Sequence, residues 1–155
     1  MRWASHRVMT FAMVFLLTRN IVAAVISTLS STLPDVIEGR GFLEDKDSTQ
    51  YRRWSKRHRT WTHWFVPYAA ILLACLVVGA DMRGNHVQIV AFMVSFLMVG
   101  ALLHILQDAI CGKVPLVNPF KKDFGIKLFR VGSIAETVVV LSGVCAGIAF
   151  YVFGK

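Results

Sequence analysis

Four long apolar blocks make up most of the sequence, at residues 8–33, 64–80, 87–106 and 131–153. A helix needs about 20 apolar residues to cross the roughly 30 Å hydrocarbon layer of a bilayer. The last two blocks reach that length, and the second block is at its short limit. Because the chain is 55% hydrophobic with a mean hydropathy of +0.57, it is too apolar for an ordinary soluble domain. We therefore expect one all-α, polytopic membrane domain over residues 1–155 with three full transmembrane helices.

The first apolar block is interrupted by a polar stretch at Thr18, Arg19 and Asn20. One straight span through this stretch would place Arg2 and Arg7 outside the cell. A helical hairpin or broken helix that turns at the stretch keeps both arginines on the cytoplasmic side, which agrees better with the positive-inside rule. We expect this second arrangement, in which Arg19 lies within the membrane and must find a partner or reach its surface.

Most of the positive charge lies in two connections between the apolar blocks, at residues 34–61 and 107–130. Such clusters are typical of cytoplasmic loops, so we expect a multi-pass membrane protein with both connections in the cytoplasm. The net charge of +8 is then explained by topology. Nucleic acid is an unlikely partner, and the lipid bilayer is the expected one.

His104 and Asp108 lie four residues apart in the third apolar block. This spacing puts an imidazole and a carboxylate on one face of a helix, where together they can chelate a divalent ion such as zinc. The alternative is a simple hydrogen bond between the two side chains at the membrane boundary. Because ionisable residues inside a membrane are costly, the pair is a candidate functional site.

The segment HRTWTHW places His58 and His63 just before the second apolar block. Five residues do not bring both rings to one helical face, so a junction between a loop and a helix is expected. One ring could then bind a metal while the other carries protons. An aromatic and basic interface belt including Trp61 and Trp64 is the alternative, and it does not account for both histidines.

Carboxylates and basic residues near the other blocks add further candidates. Asp35, after a proline, is a candidate metal ligand, although a solvated acidic loop explains it equally well. A phosphate or a lipid headgroup could be bound by Lys121, Lys122 and Arg130, or these residues could simply mark a cytoplasmic loop.

Glu136 lies inside the last apolar block, where a carboxylate needs a partner. The candidate partners are Ser133, Arg130, Arg19 and a histidine of the metal site.

Six short motifs in order along the chain resemble the bacterial inner-membrane proteins grouped as membrane-bound metal-dependent hydrolases. The motifs are His6, Leu-Pro-Asp35, His58-Arg-x-x-Thr-His63, Leu-Leu-His104-x-x-x-Asp108, Gly112-x-Val-Pro-Leu-x-x-Pro-Phe120 and Arg130-x-Gly-Ser-x-x-Glu136. A more distant similarity is to the helical zinc phospholipase C and P1 nuclease group, which uses histidines and aspartates in a similar order.

The resemblance implies a membrane-embedded hydrolase that acts on a phosphoester or lipid-linked substrate at the cytoplasmic membrane edge. It implies a divalent metal, zinc or manganese, with five ligands: His6, Asp35, His63, His104 and Asp108. Catalytic roles would fall to His58 and Glu136, and an anionic substrate would be positioned by Arg59, Lys121, Lys122 and Arg130. The alternative is a non-catalytic membrane subunit, alone or in a larger complex, whose polar cluster holds a structural metal or forms a hydrogen-bond network.

Overall fold

The computed structural model describes residues 1–39, 58–81 and 85–153 and positions 49 and 53. Most of the basic connection at residues 34–61 therefore falls outside the described residues. The helices are α1 (Trp3–Thr18), α2 (Ile21–Ser30), α3 (Leu33–Ile37), a 3-10 turn (Trp61–His63), α4 (Phe65–Asp81), α5 (Asn85–Cys111) and α6 (Ile134–Phe153). Within the described ranges, strand pairing is limited to an isolated bridge between Val114 and Phe124. The all-α prediction is confirmed.

Within the described parts of the chain, two helical segments are long and apolar enough to cross a membrane, His86–Cys111 and Ile134–Phe153. The prediction of three full transmembrane helices is therefore corrected to two. The remaining candidate, α4, has 17 residues and covers only about 25 Å at about 1.5 Å per residue. Its apolar stretch is thus too short to count as a complete span by length.

The first apolar block forms two helices that pack against each other, as the broken arrangement predicts. Arg19 ends α1 in the left-handed conformation, with a φ of 56°, and its amide donates to the Phe15 carbonyl. Asn20 then begins α2 by accepting hydrogen bonds from two backbone amides of the first turn. The Arg19 guanidinium lies 3.8 Å from the centre of the Tyr151 ring, so it has the partner that its position requires.

Helix α5 is central because it packs against α4, α2 and α1. Its contact with α2 is very close: a Cβ added to Gly100 would overlap the carbonyl oxygen of Ser27 and the hydroxyl of Ser30. The Ser27 hydroxyl donates to the Phe96 carbonyl at 2.9 Å. Small residues allow such approach between helices in membranes, where packing replaces the hydrophobic effect as the driving force. The contact lies one turn before His104 and fixes that part of α5 against the end of α2.

We predict that Gly100→Val destabilises the protein by about 1–3 kcal/mol, because the added side chain has no space between α2 and α5. Gly143→Ala is the matched control, since a Cβ there meets only the end of the flexible Met9 side chain at 3.3 Å. The measurement is thermal unfolding of both variants in detergent, followed by size-exclusion chromatography. Equal unfolding midpoints for Gly100→Val and wild type would contradict the close contact.

Candidate metal centre

Five buried polar side chains meet at one end of the helical bundle, and none is more than 2% exposed. They come from four separate elements: α1, α3, the 3-10 turn and the last turns of α5. The residues are His6, Asp35, His63, His104 and Asp108. The structure therefore brings together all the ligands that the motifs implied, and their binding of a metal stays a prediction.

His63 and His104 each lie close to both carboxylates of the cluster. His63 Nε2 lies 3.3 Å from His104 Nε2, 3.5 Å from Asp108 Oδ2 and 3.6 Å from Asp35 Oδ1. His104 Nε2 lies 3.8 Å from the same oxygens of Asp35 and Asp108. Ligands at about 2.0–2.1 Å from a tetrahedral ion are separated by roughly 3.3 Å. The separation of the two nitrogens matches this value. Two sets of three of these residues have ligand atoms close enough to hold an ion: Asp35, His63 and His104, and His6, His104 and Asp108.

His6 extends the cluster on the other side of Asp108. Its Nε2 lies 3.3 Å from Asp108 Oδ1, and its ring stacks on His104 with 4.0 Å between centroids. This buried nitrogen makes no hydrogen bond with any described residue. Since a buried polar atom without a hydrogen bond is costly, His6 Nε2 is suited to a ligand that the protein itself does not provide.

The three histidines of the cluster are held in the same way. Each Nδ1 faces an oxygen: His6 faces Gln107 Oε1 at 2.8 Å and His104 faces the Ser31 carbonyl at 2.6 Å. His63 faces the Thr62 hydroxyl at 3.1 Å and Glu38 Oε1 at 3.3 Å. Because these oxygens accept hydrogen bonds, each Nδ1 carries a hydrogen and Nε2 is the nitrogen that faces the centre. Such fixing of the ring is the usual arrangement around metal-bound histidines.

Asp108 has two cationic neighbours in addition to the histidines. Arg59 Nε lies 2.7 Å from Asp108 Oδ2, and Arg59 Nη2 donates to Oδ1 at 3.0 Å. The terminal amine of Met1 lies 2.6 Å from the same Oδ1. Arg59 has a left-handed backbone with a φ of 61°, and its guanidinium fills the space where a side chain at Gly112 would lie. A buried carboxylate is therefore balanced by charge even without a metal.

A family model described as YdjM inner membrane protein matches residues 1–154. The chain belongs to the YdjM inner membrane protein family. It is therefore a bacterial inner-membrane protein, with its long apolar helices in the lipid bilayer. No curated protein and no solved structure matches the chain. The family match supports the inner-membrane part of the resemblance and does not extend to hydrolases or to the nuclease group.

In this YdjM-family chain, Glu38 is a polar residue of the site that the sequence patterns did not single out. It accepts hydrogen bonds from His58 Nδ1 at 2.7 Å and from the Thr62 hydroxyl, and it faces His63 Nδ1. Burial opposes ionisation of Glu38, but its hydrogen bonds to these residues outweigh burial and lower its pKa to about 2. Its only sequence signal was a position three residues after Asp35, about one helical turn further on.

The two histidines bound by Glu38 differ in their tendency to take up a proton. Burial lowers the pKa of His58, against the opposing effect of Glu38. Burial would also lower the pKa of His63, but hydrogen bonds to Asp108, Asp35 and Glu38 raise it to about 10. A metal at His63 Nε2 would therefore have to replace a proton, and metal binding should release it.

Among the predicted anion-binding residues, Lys122 is within electrostatic reach of the site. Burial and the charge of Arg59 lower the pKa of Lys122, while Glu38 acts in the opposite direction. Lys121, Lys122 and Arg130 are all exposed on the same connection. Arg59 therefore contacts the cluster through Asp108, whereas these three residues lie at its periphery.

Glu136 lies outside the ligand cluster although it is fully buried. Its carboxylate accepts hydrogen bonds from the backbone amides of Arg2 at 2.8 Å and Gly132 at 2.6 Å, and lies 3.7 Å from Arg2 Nε. The expectation of a partner was right, but the charged partner is Arg2 and neither Arg130 nor Arg19. These contacts hold the start of α1 against α6, one turn before His6, and a catalytic role for Glu136 stays a prediction.

We predict that Glu38→Ala lowers the affinity for zinc by about 10–100-fold, because it removes the acceptor that orients His63. Glu38→Gln should lose less affinity, since the amide oxygen can still accept a hydrogen bond. Asp123→Asn is the control, because this exposed carboxylate is bonded to the Leu116 amide, away from the cluster. Affinity is measured by competition with a chromophoric chelator on folded protein, and equal affinities for Glu38→Ala and wild type would contradict the prediction.

Proposed function

We propose that the chain is a membrane-embedded metal-dependent hydrolase. One divalent ion, zinc or manganese, would be held by His63, His104, Asp35 and Asp108, with His6 beside it. The observation that supports the proposal is that three imidazole rings and two carboxylates lie in one buried cluster, with each ring oriented through Nδ1. Asp35, His63 and His104 could hold an ion together, and so could His6, His104 and Asp108. A purely structural cluster of hydrogen bonds would not require all three rings to bond outward through Nδ1 and to direct Nε2 into the cluster.

A divalent ion held at this point would supply an activated water and would polarise a phosphoryl or acyl oxygen. His58 is suited to proton transfer because its side chain is 17% exposed, at the edge of the cluster, and its Nδ1 is fixed by Glu38. Arg59 and Lys122 place positive charge beside the centre, where an anionic group of a substrate would have to lie. These residues account for ion binding, proton transfer and substrate orientation.

The proposed substrate is a phosphoester or a lipid-linked compound on the cytoplasmic side. The centre lies near the end of a membrane-crossing segment, His86–Cys111, so it is close to the level of the lipid headgroups. The connection between α5 and α6 carries most of the positive charge in the second half of the chain. By the positive-inside rule, this end of the helices is expected to face the cytoplasm. A substrate with an anionic head and an apolar part fits both features.

A non-catalytic membrane subunit is the second candidate function. It is favoured by the balance of charge at Asp108, where Arg59 and the Met1 amine lie at 2.7 and 2.6 Å. A cluster that is neutralised in this way can brace the short helices with or without an ion. In that case the polar residues would stabilise the fold, alone or within a larger complex, and no reaction would depend on them.

We predict one zinc or manganese ion per chain in detergent-purified protein, measured by elemental mass spectrometry. His104→Ala and Asp108→Asn should lose the ion, because each removes a ligand atom from the centre. His86→Ala is the matched control, since it removes an exposed histidine near the opposite end of α5. The absence of metal from wild type, even after reloading, would overturn the catalytic proposal and leave the structural one.

We also predict that a strong chelator abolishes hydrolysis of a phosphodiester or lipid-phosphate substrate, and that added zinc or manganese restores it. His58→Ala should lower the rate by about 10²–10⁴-fold while the metal content stays at the wild-type level, as expected for loss of a proton carrier. The structural alternative predicts a different result: no turnover for any substrate in the panel, and a lower unfolding temperature for Asp108→Asn.

A further inference from the structure

The connection between α5 and α6 contains a well-defined hairpin at residues 114–124. Val114 and Phe124 exchange two backbone hydrogen bonds of 2.8 and 3.1 Å. At the other end, Asn118 closes a turn by accepting from the Lys121 amide at 3.0 Å and, through its side chain, from the Phe120 amide at 2.9 Å. The hairpin therefore presents a fixed tip on the surface of the protein.

The tip of the hairpin is apolar and exposed. Val117 is 78% exposed and Phe120 is 74% exposed. Further along the same connection, Ile126 and Leu128 are also largely exposed. Apolar side chains gathered in this way on a connection usually mark a surface that is covered by a partner or a membrane. The metal centre does not explain them, because none belongs to the ligand cluster.

Positive charge surrounds the apolar side chains. Residues 112–133 contain five basic residues and one acidic residue, Asp123. Asp123 is used within the hairpin, where its Oδ1 accepts from the Leu116 amide at 2.9 Å. The basic residues are Lys113, Lys121, Lys122, Lys127 and Arg130. A surface that combines exposed apolar groups with this charge is complementary to a bilayer that contains anionic lipids.

Hydrogen bonds attach the connection to the end of the membrane-crossing helix. The Ile126 amide donates to the Ala109 carbonyl at 2.8 Å, and the Leu128 amide donates to the Ile110 carbonyl at 2.7 Å. Both carbonyls belong to the last turn of α5, whose segment His86–Cys111 is long enough to span the bilayer. In addition, the Trp64 indole donates to the Leu116 carbonyl at 3.1 Å. The hairpin is thus held at the level where the hydrocarbon layer ends.

We propose that residues 112–133 form an interfacial anchor that binds the anionic phospholipid headgroups of the adjacent leaflet. Val117 and Phe120 insert below the headgroups, and the surrounding lysines contact lipid phosphates. The bilayer is favoured over a protein partner for two reasons. The apolar tip and the excess positive charge complement an anionic membrane surface, and the attachment to a spanning helix keeps the connection next to that surface. This inference is independent of any hydrolytic activity.

The test measures the depth of nitroxide labels in nanodiscs by electron paramagnetic resonance. Labels are placed at Val117→Cys, Phe120→Cys and, as a shallower reference expected at the level of the headgroups, Lys127→Cys. Cys75 and Cys145 are replaced by alanine in all variants, and Cys111 is buried. Nanodiscs contain either phosphatidylcholine alone or phosphatidylcholine with phosphatidylglycerol.

Labels at 117 and 120 should be several-fold less accessible to a water-soluble nickel reagent, and more accessible to oxygen, than the label at 127. Immersion should increase when phosphatidylglycerol is present, and Lys113→Gln should reduce that increase. Equal nickel accessibility at all three positions in both lipids would overturn the proposal. Spin–spin broadening at 117 in nanodiscs that hold two chains would also overturn it, because a second copy would then cover the tip.

Discussion

The fold depends on a carboxylate that is buried near the end of a membrane-crossing helix. Asp108 is 2% exposed, and a buried charge is tolerated only where it is paired and hydrogen-bonded. Its neighbours come from distant parts of the chain: the Met1 amine, Arg59 and the rings of His6 and His63. The need to satisfy this one group therefore draws the start of the chain and the segment before α4 to the end of α5.

The rest of the polar core uses backbone groups that helix ends leave without partners. The Ser31 carbonyl, just after α2, orients His104, and carbonyls in the last turn of α5 accept from the connection to α6. Glu136 does the reverse at the start of α6 by accepting from the amides of Arg2 and Gly132. The helices are thus joined through their ends, where polar groups would otherwise be costly to bury.

Much of this arrangement could be predicted from the sequence, because local spacing carries it. The four-residue separation of His104 and Asp108, the polar break at Arg19 and the apolar blocks each indicate a structure within one or two elements. Glu38 could not be assigned, since its role depends on His58 and Thr62, which are twenty or more residues away. The partner of Glu136 was missed for the same reason. The full span expected of α4 was wrong because its helix has 17 residues, a length that the sequence already put at the short limit for crossing a bilayer.

The contact at Gly100 has a consequence for the chemistry of the centre. This glycine lies four residues before His104, and it touches α2 near its end at Ser30. The next residue, Ser31, supplies the carbonyl that orients the His104 ring. The distance between α2 and α5 therefore determines the position of the His104 ring, which belongs to α5 and is hydrogen-bonded to the carbonyl that follows α2. Because Gly100 has no side chain, α2 and α5 can approach closely, and this distance fixes where the candidate ligands at the end of α5 lie. The separation of the candidate ligand side chains is therefore set by helix packing as well as by the side chains themselves.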